Sequence, residues 1–162
     1  MFYEKVFRAL NKARVKYAVA GGIAVNLYGV PRMTQDLDLL VELSAINIKK
    51  LTMVLKSLGY HSRLPVNPEL IADPIIRKQW ITKKNMKVFS FYHHRIPIQE
   101  IDLLVTAPLK INETLKRKVI KRAGNLLIPL VPILDLIKMK EKAGRAVDLS
   151  DIQMLKTVIK KR

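Results

Sequence analysis

Apolar residues Phe2, Val6, Phe7 and Leu10 recur at helical spacing, with Lys and Arg between them, and predict a helix over 2–13. Tyr17 to Ala20 is a short apolar run that stops at Gly21-Gly22, which reads as a buried strand. Ile23 to Tyr28 then opens a helix closed by Gly29 and Pro31, and Leu37 to Val41 is a second strand. Ser44 is placed to cap a helix carrying Ile46, Ile48, Leu51, Val54, Leu55 and Leu58 before Gly59. Three prolines between Leu64 and Pro74 predict a surface loop. Met86 to Tyr92 and Ile96 to Val105 predict a hairpin turning near His93-His94-Arg95. Asn125 to Val131 is one more strand, and Pro132 to Ala143 and Leu149 to Lys160 are helices on either side of Gly144. Strand–helix alternation followed by a hairpin predicts an α/β (α+β) fold, its mixed sheet flanked by helices. The length suits one domain over 1–162, with a helical C-terminal part from about 132.

Two of these strands carry acids. Asp36 and Asp38 lie in Asp36-Leu37-Asp38-Leu39-Leu40-Val41, and residues two apart on a strand share a face. Both carboxylates therefore point one way while Leu37, Leu39 and Val41 enter the core. Asp102 sits in an equally apolar stretch, Ile101 to Val105. Neighbouring carboxylates repel, and partial burial makes their ionised forms costlier, a penalty that a divalent cation removes. All-oxygen ligands without His or Cys suit Mg²⁺ or Mn²⁺ rather than zinc. Strand ends, or pairing with Lys and Arg, account for an isolated Asp-x-Asp equally well. Gly21-Gly22 between a strand and a helix lets backbone N–H groups approach a phosphate, although close helix–strand packing also asks for glycine.

The chain has 30 Lys and Arg against 13 Asp and Glu, a formal charge of +17 and a pI near 10.2. Such a field attracts polyanions, whether nucleic acid, nucleotides, an acidic protein or a membrane surface, and solubility is the plainer alternative. Much of it falls in the run Lys110 to Arg122 and in the tail Lys156, Lys160, Lys161 and Arg162, after Asp102 in the chain. Cysteine is absent, which excludes disulfides, thiolate metal sites and a Cys nucleophile. No run approaches the ~18 apolar residues of a membrane span, and the N-terminus lacks a signal-peptide core, so a cytoplasmic protein without membrane contact is expected. His61, His93 and His94 fall in turn regions, Glu100 shares a strand face with Asp102, and Trp80 reads as packing. Tyr28 and Arg32 lie near enough to the glycine turn to touch a nucleotide.

Taken together, Ala20-Gly21-Gly22, thirteen residues, Asp36-Leu37-Asp38-Leu39 and then Ile101-Asp102-Leu103 resemble the DNA-polymerase-β-type nucleotidyltransferase superfamily. Arg32-x-Thr34-x-Asp36-x-Asp38 is similar to the form in its small bacterial and archaeal branch. The block from Met139-Lys140 through Ala143-Gly144-Arg145, Asp148 and Asp151-Ile152 resembles the ending of that branch, which includes AbiEii-type toxins. The resemblance implies an enzyme that moves NMP from an NTP to an acceptor hydroxyl and releases pyrophosphate. Asp36, Asp38 and Asp102 would then be catalytic and hold Mg²⁺ or Mn²⁺, Asp102 doubling as a metal ligand or as the base on the acceptor. Gly21, Gly22, Arg32, Thr34 and Lys140 would bind the nucleotide. For Lys140 a solvated helix face is the alternative, and for Arg145 and Asp148 an interhelical salt bridge. RNA, especially tRNA, or a protein would be the acceptor, and a cognate toxin or antitoxin a possible partner. A catalytically silent module holding RNA, nucleotide or a partner protein is the rival reading.

Overall fold

The structure, a computed structural model, describes residues 2–161. Helix α1 (Glu4–Lys12) buries Val6, Phe7 and Leu10, the stripe the periodicity marks, while Phe2 lies outside it and is exposed. Strand β1 (Tyr17–Val19) leads through Ala20 into α2 (Gly21–Leu27), and β2 (Leu37–Val41) follows a strap over 28–36. Helix α3 (Ala45–Ser57) begins where Ser44 accepts a hydrogen bond from the Asn47 N–H. Strands β3 (Tyr60–Ser62), β4 (Val88–His93) and β5 (Glu100–Leu104) come next, with helix α4 (Pro74–Lys84) between β3 and β4. The chain continues through α5 (Ile111–Lys116), β6 (Val119–Ala123), β7 (Leu126–Leu130), α6 (Ile133–Ala143) and α7 (Ala146–Lys160).

The strands form one seven-stranded sheet in the order β3-β4-β5-β2-β1-β7-β6. It is mixed, as the pattern predicts: β2 runs parallel to β5 and β1 to β7, and the other neighbours are antiparallel. By parity Leu37, Leu39, Val41, Ile101, Leu103, Phe89 and Phe91 share one face, and all are buried. They join Ile48, Leu51 and Leu55 of α3 in a single core cluster. Asp38, Asp102 and Ser90 occupy the other face, which is what frees it for chemistry.

Several elements differ from the sequence pattern. The 64–74 segment is not all loop: a 3₁₀ turn spans Pro68–Ala72, and α4 begins at Pro74, a residue suited to the first helical position. Asp73 caps α4 by accepting from Ile75 and Ile76 N–H, but of the helix only Trp80 is buried, so its apolar stripe is weak. Trp80 stacks on Phe89 at 5.7 Å between ring centroids, confirming it as a packing residue. The 96–105 strand starts only at Glu100. Strand β6 takes part of the basic run, and as an edge strand with four of its five residues exposed it shows no apolar alternation. Strand β3 is three residues long, too short for periodicity to register.

Candidate active site

The parallel pairing of β2 and β5 sets Asp38 directly beside Asp102. Antiparallel pairing of β4 sets Ser90 beside Asp102 on the other flank, where the Ser90 hydroxyl donates to Asp102 Oδ1. On the far side of β2, the Ala20 N–H donates to the Asp38 carbonyl and brings the glycine turn alongside. The sheet thus lines up Ser90, Asp102, Asp38 and Ala20 in one row, with Gly21 the next residue beyond it. Gly21 has φ +57°, open to glycine at little cost, and a Cβ there would lie 1.7 Å from Asp38 Oδ2. Gly22 is enclosed less tightly: a Cβ would meet Thr34 Oγ1 at 2.6 Å and Arg32 Nη1 at 2.8 Å.

The row opens into a cleft of about 710 Å³ between the sheet face and the α6–α7 corner. Gly21, Asp38, Asp102 and Lys140 of the sequence-derived set line it. Gly22, Arg32 and Thr34 do not; they brace the turn from behind. Asp36 is exposed just before β2, yet its charge is felt at both Asp38 and Asp102. Burial, reinforced by Asp102 and Asp36, pushes the Asp38 carboxyl up to about 6, against the pull of Lys140 and Arg145. The Asp102 carboxyl is also raised, chiefly by burial, with the Ser90 hydrogen bond opposing.

These carboxylates fit a hard divalent cation. They supply oxygen donors only, and their mutual repulsion is the strain a cation relieves. Among the described residues no three His, Cys, Asp or Glu side chains are grouped closely enough to hold a metal ion, so Asp36 would have to swing toward the strand pair.

Lys140 is not on a solvated face. It is 4% exposed, with Nζ 2.7 Å from Asp151 Oδ2 and 3.2 Å from Asp148 Oδ1. Asp151 also takes Arg32 Nη1 at 2.9 Å, so one carboxylate ties the C-terminal helices to the strap behind the glycine turn. Arg32 Nε is buried without a partner. Arg145 and Asp148 pair at 2.7 Å, as N-cap and third residue of α7 rather than between helices; in the interhelical bond Lys140 Nζ donates to Asp148 Oδ1. Burial pushes Asp148 up, but hydrogen bonds from Arg145 and Lys140 outweigh it and hold its carboxyl below the ordinary range.

Other sequence candidates fall away from the cleft. Tyr28 is buried and its hydroxyl donates to the Val131 carbonyl, which removes it from nucleotide contact. Glu100 pairs with Arg63 at 2.8 Å. His94 Nδ1 donates to the Gly59 carbonyl, and His93 Nδ1 accepts from Arg95 and Ile96 N–H. The basic run Lys110 to Arg122 does not line the cleft: Lys110 pairs with Glu113, Arg117 with Asp135, and β6 is the far edge of the sheet. Arg162 lies outside the described residues. Lys87, Lys142, Val88, Leu104 and Leu136 also line the cleft, and no motif marks them in the sequence; Met139, which opens the C-terminal block, lines it too.

A mixed sheet with a glycine turn after β1 and paired aspartates on parallel β2 and β5 is the nucleotidyltransferase fold. The chain shares it with lincosamide antibiotic adenylyltransferase LnuA, whose lincomycin-bound crystal structure matches with a TM-score of 0.57. The match covers 94% of this chain and 93% of that one at 16% sequence identity, a likeness of fold. No protein-family model and no curated protein matches the chain. Among the described residues no helix is long and apolar enough to cross a membrane.

Proposed function

We propose that the protein is a metal-dependent nucleotidyltransferase that moves NMP from an NTP to an acceptor hydroxyl. The observation that carries this reading is the pairing of Asp38 with Asp102 in register and the glycine turn at Gly21 beside them, all three lining one cleft of a nucleotidyltransferase fold. The backbone at Gly21, kept bare of side chain, lets a triphosphate approach. Asp36, Asp38 and Asp102 would hold Mg²⁺ or Mn²⁺, which supplies charge neutralisation at the reacting phosphate and the leaving pyrophosphate. Asp102, oriented by Ser90, takes the proton of the acceptor hydroxyl. The acceptor oxygen bonds the α-phosphorus, the bond from that phosphorus to the bridging oxygen breaks, and pyrophosphate leaves. Lys140 sits between Asp148 and Asp151 and so acts first by position, holding the α6–α7 corner over the carboxylates.

The Arg32 to Asp38 motif and the Met139 to Ile152 block support a place beside the small AbiEii-type enzymes, and with it a toxin–antitoxin context and an RNA or protein acceptor. A silent binding module is the second reading, favoured by the double ion pair that occupies Lys140. Release of labelled pyrophosphate from each NTP with Mg²⁺, total RNA and cell extract separates the two. Turnover that disappears in Asp38→Asn and in Asp102→Asn, each with an unchanged circular dichroism spectrum, supports the enzyme. Equal turnover in both variants overturns it, and NTP binding without any release favours the silent module.

A further inference from the structure

Asp102 separates two halves of the cleft. On one side stand Asp38 and the glycine turn. Along the same sheet face, two residues further on, the register pairs Val88 with Leu104, an apolar step beside the carboxylate row. At ~3.3 Å per strand residue that step lies about 7 Å from Asp102. Leu136 and Met139 of α6 line the cleft with these two, and Ala107 and Pro108 extend its apolar wall. Lys87 and Lys142 line the same cleft; both are exposed, and neither has an ion-pair partner among the described residues.

We propose that this half is the acceptor subsite and that its occupant is a nucleotide unit. The base would lie in the slot between Val88, Leu104, Leu136 and Met139, with a ribose hydroxyl at Asp102 and a phosphate at Lys87 and Lys142. The assignment rests on the nucleotidyl-transfer reading and gives its acceptor a chemistry. Three observations select it. An apolar slot accepts a flat ring without reading its edge. The slot and Asp102 are separated by a span that a ribose hydroxyl and its own base can cover. The two free cations want an anion, which a neutral or cationic small acceptor lacks. Residues of the basic run 110–122, which the sequence alone points to, take no part, because they do not line the cleft.

The test uses the full chain, a short fluorescein-labelled single-stranded RNA with a free 3′ hydroxyl, AMP, adenosine and each NTP with Mg²⁺. Lys87→Ala with Lys142→Ala should weaken RNA binding roughly tenfold and make the log–log salt slope shallower by about 0.7, one phosphate contact on a single strand. Adenosine and NTP binding should stay as in the wild type. Leu104→Gln, accepted only with a native circular dichroism spectrum, should weaken RNA and adenosine alike and spare NTP; Met139→Trp, which fills the slot from α6, replaces it if it unfolds. AMP competing as well as RNA identifies a free nucleotide as the source of this chemistry, and RNA binding far more tightly identifies a polynucleotide end. Lysine variants that leave RNA affinity unchanged, or that weaken NTP as much as RNA, overturn the subsite. So does a wild type that binds NTP but neither RNA nor AMP. A wild type that binds no NTP overturns the transferase reading, and the subsite with it.

Discussion

At the scale of single residues, the glycine turn and the paired carboxylates constrain each other. Gly21→Ala adds a methyl group where Asp38 Oδ2 already stands and holds a non-glycine residue at φ +57°. The left-handed backbone alone costs about 1–2 kcal/mol, and Asp38 must move as well. A lowered melting temperature with loss of NTP binding is expected from thermal melts and calorimetric titration; a variant with wild-type binding would show that the close approach is unimportant. Asp38 makes a second prediction. Its carboxyl is raised to about 6, against ~3.9 in an unfolded chain, so between those values the native state holds a proton that the unfolded state has lost. Stability therefore falls as pH rises from about 4 through about 6, by up to roughly 3 kcal/mol from this group. Asp38→Asn should flatten that decline in urea titrations. Mg²⁺ should raise the melting temperature at pH 7.5 and hardly at all at pH 4.5, where the carboxyl is protonated.

At the scale of elements, the α6–α7 corner depends on a buried cation. Lys140 lies between Asp148 and Asp151, all three nearly inaccessible to solvent. Removing one partner of a buried pair typically costs ~3–5 kcal/mol. Lys140→Met should fall toward the low end of that range, because Asp148 keeps Arg145 and Asp151 keeps Arg32. Urea unfolding measures it, and a loss below about 1 kcal/mol would place Lys140 outside the structural framework. Helix α4 offers a smaller test. Asp73→Ala removes a side chain that accepts from two N–H groups and should cost about 1 kcal/mol, with no change in NTP affinity since no residue of α4 lines the cleft. The Ser44 cap, the α1 stripe and the β2 strand were all legible because each rests on neighbours within one turn or one strand. Helix α4 and strand β6 were not, because the first buries only Trp80 and the second is an exposed edge.

At the scale of the whole molecule, a formal charge of +17 repels itself in the compact state. Raising salt from near zero to physiological strength should therefore raise the melting temperature, by about 2–4 °C for each kcal/mol of repulsion screened. The Lys140 and Arg32 pairs are buried and respond little to the same salt. A melting temperature that drops with salt would mean that surface ion pairs outweigh the net repulsion. The sequence by itself determined the strand bearing Asp38, with Asp36 just ahead of it, the glycine turn and the separate strand of Asp102, because period-two alternation and glycine backbone freedom act over a few residues. Only the tertiary structure decided that β2 and β5 pair in the register that sets Asp38 beside Asp102. It also decided that Lys140 is buried between two acids and that Lys87 and Lys142, rather than the 110–122 run, border the cleft. Those facts depend on strand order and helix packing between residues far apart in the chain, which no local pattern encodes.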